Sequence, residues 1–174
     1  MRPAAQVVPH ESILEGGLKD GEKIREFCKG ADVVTVEIEH VGVETLEELE
    51  KEGINVQPSG RVLKTIRDKF LQKMHFQSHN IPLPPFKDTP SKESIRQAAD
   101  SLGLPLMLKS RKGGYDGRGN AVLRSSSDAD IDEALSSLGC DVSGNEFDLY
   151  AEGWIDFDCE VAVMVVRSSN GKDT

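Results

Sequence analysis

Lys109-Ser110-Arg111-Lys112-Gly113-Gly114-Tyr115-Asp116-Gly117-Arg118-Gly119-Asn120 sets four glycines within seven residues, beside four basic side chains and one acidic one. Glycine permits positive φ and removes side chains, so backbone amides can close around an anion. The preceding stretch, Leu104 to Ser110, alternates and reads as a strand, and Asn120 to Arg124 reads as a second. Alternation puts Leu104, Leu106 and Leu108 on one face and Met107 and Lys109 on the other. Lys109 is therefore expected to reach away from the leucine face into a cleft. Neither common phosphate loop fits. The Walker pattern needs Gly-Lys, then Ser or Thr, then a helix; here the glycines follow the lysine and lead into a strand. The dinucleotide fingerprint must also open a helix. Spacing alone leaves two readings: a loop that takes a polyphosphate, or a glycine-rich hairpin with an exposed basic tip.

The basic cluster is informative because its background is acidic. The 174 residues carry a formal net charge of −9, with 37% hydrophobic and 29% charged residues. Such a balance argues against a nucleic-acid partner, whose phosphates are held by an excess of Lys and Arg. No apolar run approaches a membrane span, and the opening residues have no apolar signal core. Cys28, Cys140 and Cys159 are far apart and odd in number, so no disulfide framework or metal spacing is expected. His75 and His79 are spaced i, i+4, but no Glu follows His75 as a zinc-protease helix requires.

Working outward, Ser91 to Leu102 reads as a helix capped by Ser91, and Asp128 to Leu138 as a helix capped by Asp128 or Ser127. Leu149 to Ile155 and Glu160 to Arg167 read as two further strands. This predicts an α+β lobe with a mostly antiparallel sheet over residues 87–174. Prolines in Ile81 to Phe86 exclude helix and mark a linker. Before it, Val62, Ile66, Phe70 and Met74 recur at helical spacing, giving a linker helix region over 59–86. Residues 1–58 read as part of an α/β unit: a helix around Ile24, Phe27 and Cys28 closed by Gly30, a strand from Asp32 to Glu39, an acidic helix from Val43 to Glu52 stopped by Gly53, and a strand at Ile54 to Val56.

Lys109 to Asn120 closely resembles the glycine-rich loop of the 5-(carboxyamino)imidazole ribonucleotide synthetases. These are ATP-grasp enzymes of purine biosynthesis, which in plants and fungi form part of phosphoribosylaminoimidazole carboxylase. Three other blocks resemble the family in the right order. Val34-Thr-Val-Glu-Ile-Glu-His-Val is similar to the strand ending the first domain, and Ile66-Arg-Asp-Lys-Phe-Leu-Gln-Lys to the helix entering the ATP-grasp region. Tyr150-Ala-Glu-Gly-Trp-Ile-Asp-Phe-Asp-Cys-Glu-Val-Ala-Val is similar to the strand pair carrying the adenosine contacts. The resemblance implies the tail of a Rossmann-like pre-ATP-grasp domain followed by one ATP-grasp lobe.

Roles follow from the resemblance residue by residue. Lys69 and Lys109 would lie on the ATP phosphates, and Gly114, Tyr115, Asp116, Gly117, Arg118, Gly119 and Asn120 would form the flap, with Lys109 and Arg118 serving the transferred phosphoryl. Glu152, Gly153, Trp154 and Ile155 would read the adenine, although core packing is the expected place for the Trp154 indole. Glu160 would accept from the ribose hydroxyls. Glu37 resembles a substrate-contacting carboxylate of the formate-dependent glycinamide ribonucleotide transformylase, an alternative relative; a solvated strand face shared with Glu39 explains it equally. The implied reaction joins bicarbonate to aminoimidazole ribonucleotide with ATP and magnesium. The family's amino-terminal Gly-rich turn and its carboxy-terminal half, which holds the magnesium ligands, have no counterpart here. The chain is accordingly expected to be a fragment or truncated product, inactive alone or a non-catalytic nucleotide binder. The complete protein is expected to be a cytoplasmic homodimer, or plastid-located if a plant transit peptide is missing.

Overall fold

The computed structural model describes residues 6–114 and 118–166. Two hydrophobic cores organise them, and each forms where local caps and periodicity agree. In the first, Asp20 accepts a hydrogen bond from the Lys23 amide and opens α1 (Gly21–Cys28), which Gly30 closes at φ +78°. β1 (Val34–Thr35), α2 (Val43–Lys51) and β2 (Val56–Gln57) then form the expected strand–helix–strand unit, with the strands parallel. Leu46 and Leu49 bury the apolar stripe of α2 against Cys28, Val34, Val56 and Leu63.

Two expectations in this half are corrected. The strand expected over Asp32 to Glu39 pairs only at Val34 and Thr35. Its partner ends at Gln57 because Pro58 has no N–H to continue a ladder, so Glu37 and Glu39 share no strand face. The single helical stripe of Val62, Ile66, Phe70 and Met74 is divided at Asp68. That residue is extended (φ −111°, ψ 105°) and separates α3 (Gly60–Arg67) from α4 (Lys69–Ser78). Its carboxylate accepts from the amides of Phe70 and Leu71, at 3.0 and 3.1 Å, which is the bonding of a helix N-cap. Val62, Ile66 and Met74 are exposed in consequence, and Leu63 carries the core contact of α3.

The second core lies under a four-stranded antiparallel sheet in the order β3 (Phe86–Asp88), β6 (Leu149–Gly153), β4 (Leu106–Ser110), β5 (Asn120–Leu123). β3 was not expected; three residues after a proline run carry too little pattern to declare a strand. α5 (Lys92–Leu102) starts at a reciprocal capping box between Ser91 and Ser94, and Ser127 rather than Asp128 caps α6 (Asp128–Ser137). Ile95, Ile131 and Leu135 from these helices meet Leu106, Leu108 and Ala151 on one face of the sheet. α4 covers the other face, where the Phe70 ring lies 5.6 Å from Phe86 and 6.1 Å from Tyr150.

β6 stops at Gly153, short of Ile155. Both of its neighbours begin just after prolines, β3 after Pro85 and β4 after Pro105, so the ladder has no further donors. The strand expected from Glu160 is absent among the described residues, and Arg167 lies outside them. Residues 160–166 are exposed and pair in no ladder. No helix among the described residues is long and apolar enough to cross a membrane.

Candidate nucleotide site

The face of the sheet beneath α4 gathers the chemistry. Antiparallel register places Met107 opposite Glu152 and Lys109 opposite Tyr150, so the alternation that buries Leu106 and Leu108 turns Lys109 and Glu152 together onto this face. Lys109 Nζ lies 2.5 Å from Glu152 Oε2, and Lys73 Nζ, from α4, pairs with Oε1 of the same carboxylate. Glu152 is 6% exposed. Burial alone would raise its carboxyl, but the hydrogen bonds and charges of Lys109 and Lys73 outweigh burial and hold it below the ordinary carboxylate range. Tyr150, buried alongside, has its phenol pushed up by burial and by the charges of Glu152 and Asp68.

The glycine loop is fastened to α4 from below. The Arg111 guanidinium forks onto Asp68, with Nη2 to Oδ2 at 2.8 Å and Nε to both oxygens at 3.2 Å, while its Cζ lies 4.9 Å from the centroid of the Phe70 ring. Asp68 is 3% exposed. Burial would raise its carboxyl; the Arg111 hydrogen bonds, the Leu71 amide and the Lys112 charge prevail and lower it. The backbone repeats the tie, since the Lys69 amide donates to the Arg111 carbonyl at 2.9 Å. Above this latch, Lys69 Nζ donates to the Gly114 carbonyl at 3.1 Å.

The loop's limbs approach closely. The Ser110 amide donates to the Gly119 carbonyl at 2.9 Å. Gly119 has φ +80°, and a Cβ there would come within 3.1 Å of Gly114 Cα and 3.3 Å of the Ser110 side chain. Glycine is required at this position for both conformation and space.

Lys69, Lys109, Gly114, Gly119 and Asn120 are thus brought together at the Ser110 end of β4, with Arg118 in the returning limb, and the Lys109 side chain reaches along the same face to Glu152, whose backbone pairs with Met107. Tyr115, Asp116 and Gly117 lie outside the described residues. Gly153 is adjacent, its amide already donating to the Pro85 carbonyl at 2.8 Å. Trp154 is corrected: it is 43% exposed rather than packed in the core, and its indole N–H donates to Asp156 at 3.2 Å, because the sheet ends one residue earlier. Ile155 and Glu160 are also exposed, beyond the sheet. Glu37 is not part of this cluster. It lines a separate cavity of about 440 Å³ in the first core, with Leu14, Lys23, Phe27 and Cys28.

Of the four basic residues of the loop, Arg111 and Lys112 are engaged by Asp68 and Asp148. Sequence reading counted both toward a polyphosphate. It also missed Lys73, Asp68 and Tyr150. Lys73 had one visible signal, its position one helical turn after Lys69. Asp68 had another, as a capping residue type before a charged helical run.

Comparison with known proteins follows the same division. Residues 74–174 match the ATP-grasp domain family and residues 2–67 the ribonucleotide synthetase preATP-grasp domain family. The chain is 39% identical over 170 residues to the phosphoribosylaminoimidazole carboxylase of Schizosaccharomyces pombe, covering 98% of this chain and 29% of that protein. It is similar to the Aspergillus clavatus carboxyaminoimidazole ribonucleotide synthase solved with ATP, with TM-score 0.75 and 38% identity over 90% of this chain and 39% of that one. A structure of the A. clavatus synthase with ADP and 5-aminoimidazole ribonucleotide gives TM-score 0.74 at 36% identity, over 90% of this chain and 38% of that one. The chain spans about three tenths of the length of the curated carboxylases it matches.

Proposed function

The chain belongs to the ATP-grasp family, and from that premise we propose that it is the ATP-binding portion of an enzyme that carboxylates 5-aminoimidazole ribonucleotide in purine biosynthesis. One observation carries the reading: Lys73 of α4 and Lys109 of β4 converge on the buried Glu152, while Lys69 of α4 reaches the glycine loop at the Gly114 carbonyl. Such a site suits a ligand with an anionic tail and an apolar, hydrogen-bonding head. Lys109 and Lys69 hold phosphate oxygens, each by releasing a protein acceptor, Glu152 or the Gly114 carbonyl. The loop amides close over the phosphates, and the strand end at Glu152 to Ile155 reads the base.

In the reaction proposed, bicarbonate takes the terminal phosphoryl group of ATP, and ADP leaves. The resulting carboxyphosphate releases phosphate and carbon dioxide. The ribonucleotide amine then forms the new N–C bond and loses a proton. The lysines' share is positioning and charge stabilisation, so no covalent nucleophile is needed. Magnesium would accompany the nucleotide. No cluster of three His, Cys, Asp or Glu suited to a metal exists among the described residues, and Glu152 is engaged by two lysines. A cytoplasmic setting is part of the same proposal.

Calorimetric titration of ATP into wild type and Lys109→Ala tests it. The variant is expected to bind about 1.5–3 kcal/mol more weakly, as for a hydrogen bond to a charged group. Equal affinities would remove Lys109 from the site.

A further inference from the structure

Glu152 holds one negative charge against two lysines, one on each oxygen, and the two come from different elements. Lys109 sits on β4 beside the glycine loop. Lys73 sits on α4, its side chain only 16% exposed and its Nζ 5.9 Å from the Phe86 ring. A buried carboxylate that loses its only counter-ion is strongly destabilising, so Lys109 alone could not leave Glu152 without leaving a bare charge behind. With Lys73 in place, Glu152 remains paired whichever way Lys109 turns. We infer that Lys73 is a positioning residue that keeps Glu152 neutralised so that Lys109 is free to transfer from Glu152 to a ligand phosphate. The inference rests on the nucleotide reading of the site but concerns a residue that itself touches no phosphate.

Lys73 acts in this account through Lys109, so its removal weakens phosphate binding more than nucleoside binding. Titrations of ATP, adenosine and inorganic tripolyphosphate into the 174-residue chain separate the cases, with wild type, Lys73→Met, Lys73→Arg and the Lys73→Met/Glu152→Gln double variant. Lys73→Met should lose about tenfold or more in affinity for ATP and tripolyphosphate, and less than about threefold for adenosine. Lys73→Arg, which keeps the charge, should restore most of the loss. So should the double variant, because with the carboxylate gone Lys109 no longer has to guard it. Merely structural damage would affect adenosine and ATP alike and would not be repaired by removing a second charged group. If Lys73→Met alone fails to fold, the arginine and double variants still decide, since both are expected to bind tripolyphosphate nearly as wild type.

Unchanged ATP affinity in Lys73→Met, equal losses for adenosine and ATP, or no recovery in the double variant would each overturn the inference while leaving the nucleotide reading intact. Wild type that binds tripolyphosphate but neither ATP nor adenosine would overturn the nucleotide reading instead, and the tripolyphosphate series would then decide the role of Lys73. Wild type that binds none of the three ligands overturns both.

Discussion

Replacing Asp68 by alanine should destabilise the chain more than any change at an exposed charge, because one carboxylate carries two separate duties. It caps α4 through the amides of Phe70 and Leu71, and loss of such a cap costs about 1 kcal/mol. It also receives the Arg111 fork while 3% exposed. Removing one partner of a buried pair costs about 3–5 kcal/mol when the other charge is left bare. Arg111 is not left bare: Asp88 and Asp148 stay within 3.4 and 3.5 Å of its guanidinium, and its side chain is 20% exposed. The pair's loss is therefore discounted to about 2 kcal/mol, and the sum for Asp68→Ala is about 3 kcal/mol. Asp68→Asn keeps a competent cap and loses only the charge, so it should cost about 1–2 kcal/mol. Urea denaturation followed by circular dichroism measures both. With a slope of about 2 kcal/mol per molar urea, the alanine midpoint should fall by about 1.5 M and the asparagine midpoint by about half as much. An alanine midpoint within about 0.3 M of wild type would refute the two-duty account of Asp68, since neither duty could then matter.

The remaining predictions concern charge on the same face of the sheet and space in the glycine loop. Asp68 and Glu152 have lowered folded carboxyl values. Their contribution is complete above the unfolded range of roughly 4 and is lost as pH falls through the folded values; Glu152→Gln should flatten this acid limb, and identical pH slopes of the urea midpoint would count against it. The Tyr150 phenol is raised, so its contribution is present below the unfolded value of roughly 10 and disappears as pH climbs through the folded one. In an alkaline absorbance titration, Tyr150 should ionise only as the fold opens, and Tyr150→Phe should abolish that delayed phase; complete ionisation of both tyrosines in the folded chain would contradict this. Gly119→Ala must hold a positive φ and press on Gly114 and Ser110, so it should cost about 1–2 kcal/mol and weaken ATP binding, read by the same denaturation and titration. A wild-type melt with wild-type affinity would show that the loop has room.

The sequence alone determined whatever needs only a few neighbouring residues. The Ser91 cap, the glycine stops at Gly30 and Gly53, and the alternation of Leu106, Met107, Leu108 and Lys109 are all local hydrogen-bonding or steric choices. Each was legible because its cause lies within about one turn or one pleat. The glycine run identified the loop for the same reason: the backbone freedom it needs is written in the residues themselves. Tertiary structure decided how far each strand runs and which charges meet. β6 ends at Gly153 because prolines precede both of its neighbours, and Trp154 is exposed as a result. α3 and α4 separate because Asp68 finds both a cap and a guanidinium from 43 residues away. Arg111 and Lys112 turned from candidate phosphate ligands into counter-ions of the protein's own carboxylates because Asp68 and Asp148 arrive beside them. A side chain's charge is evident from its type, but its partner is set by which elements the fold lays side by side. Lys73 and Glu152, far apart in the chain, meet only when α4 settles on the sheet.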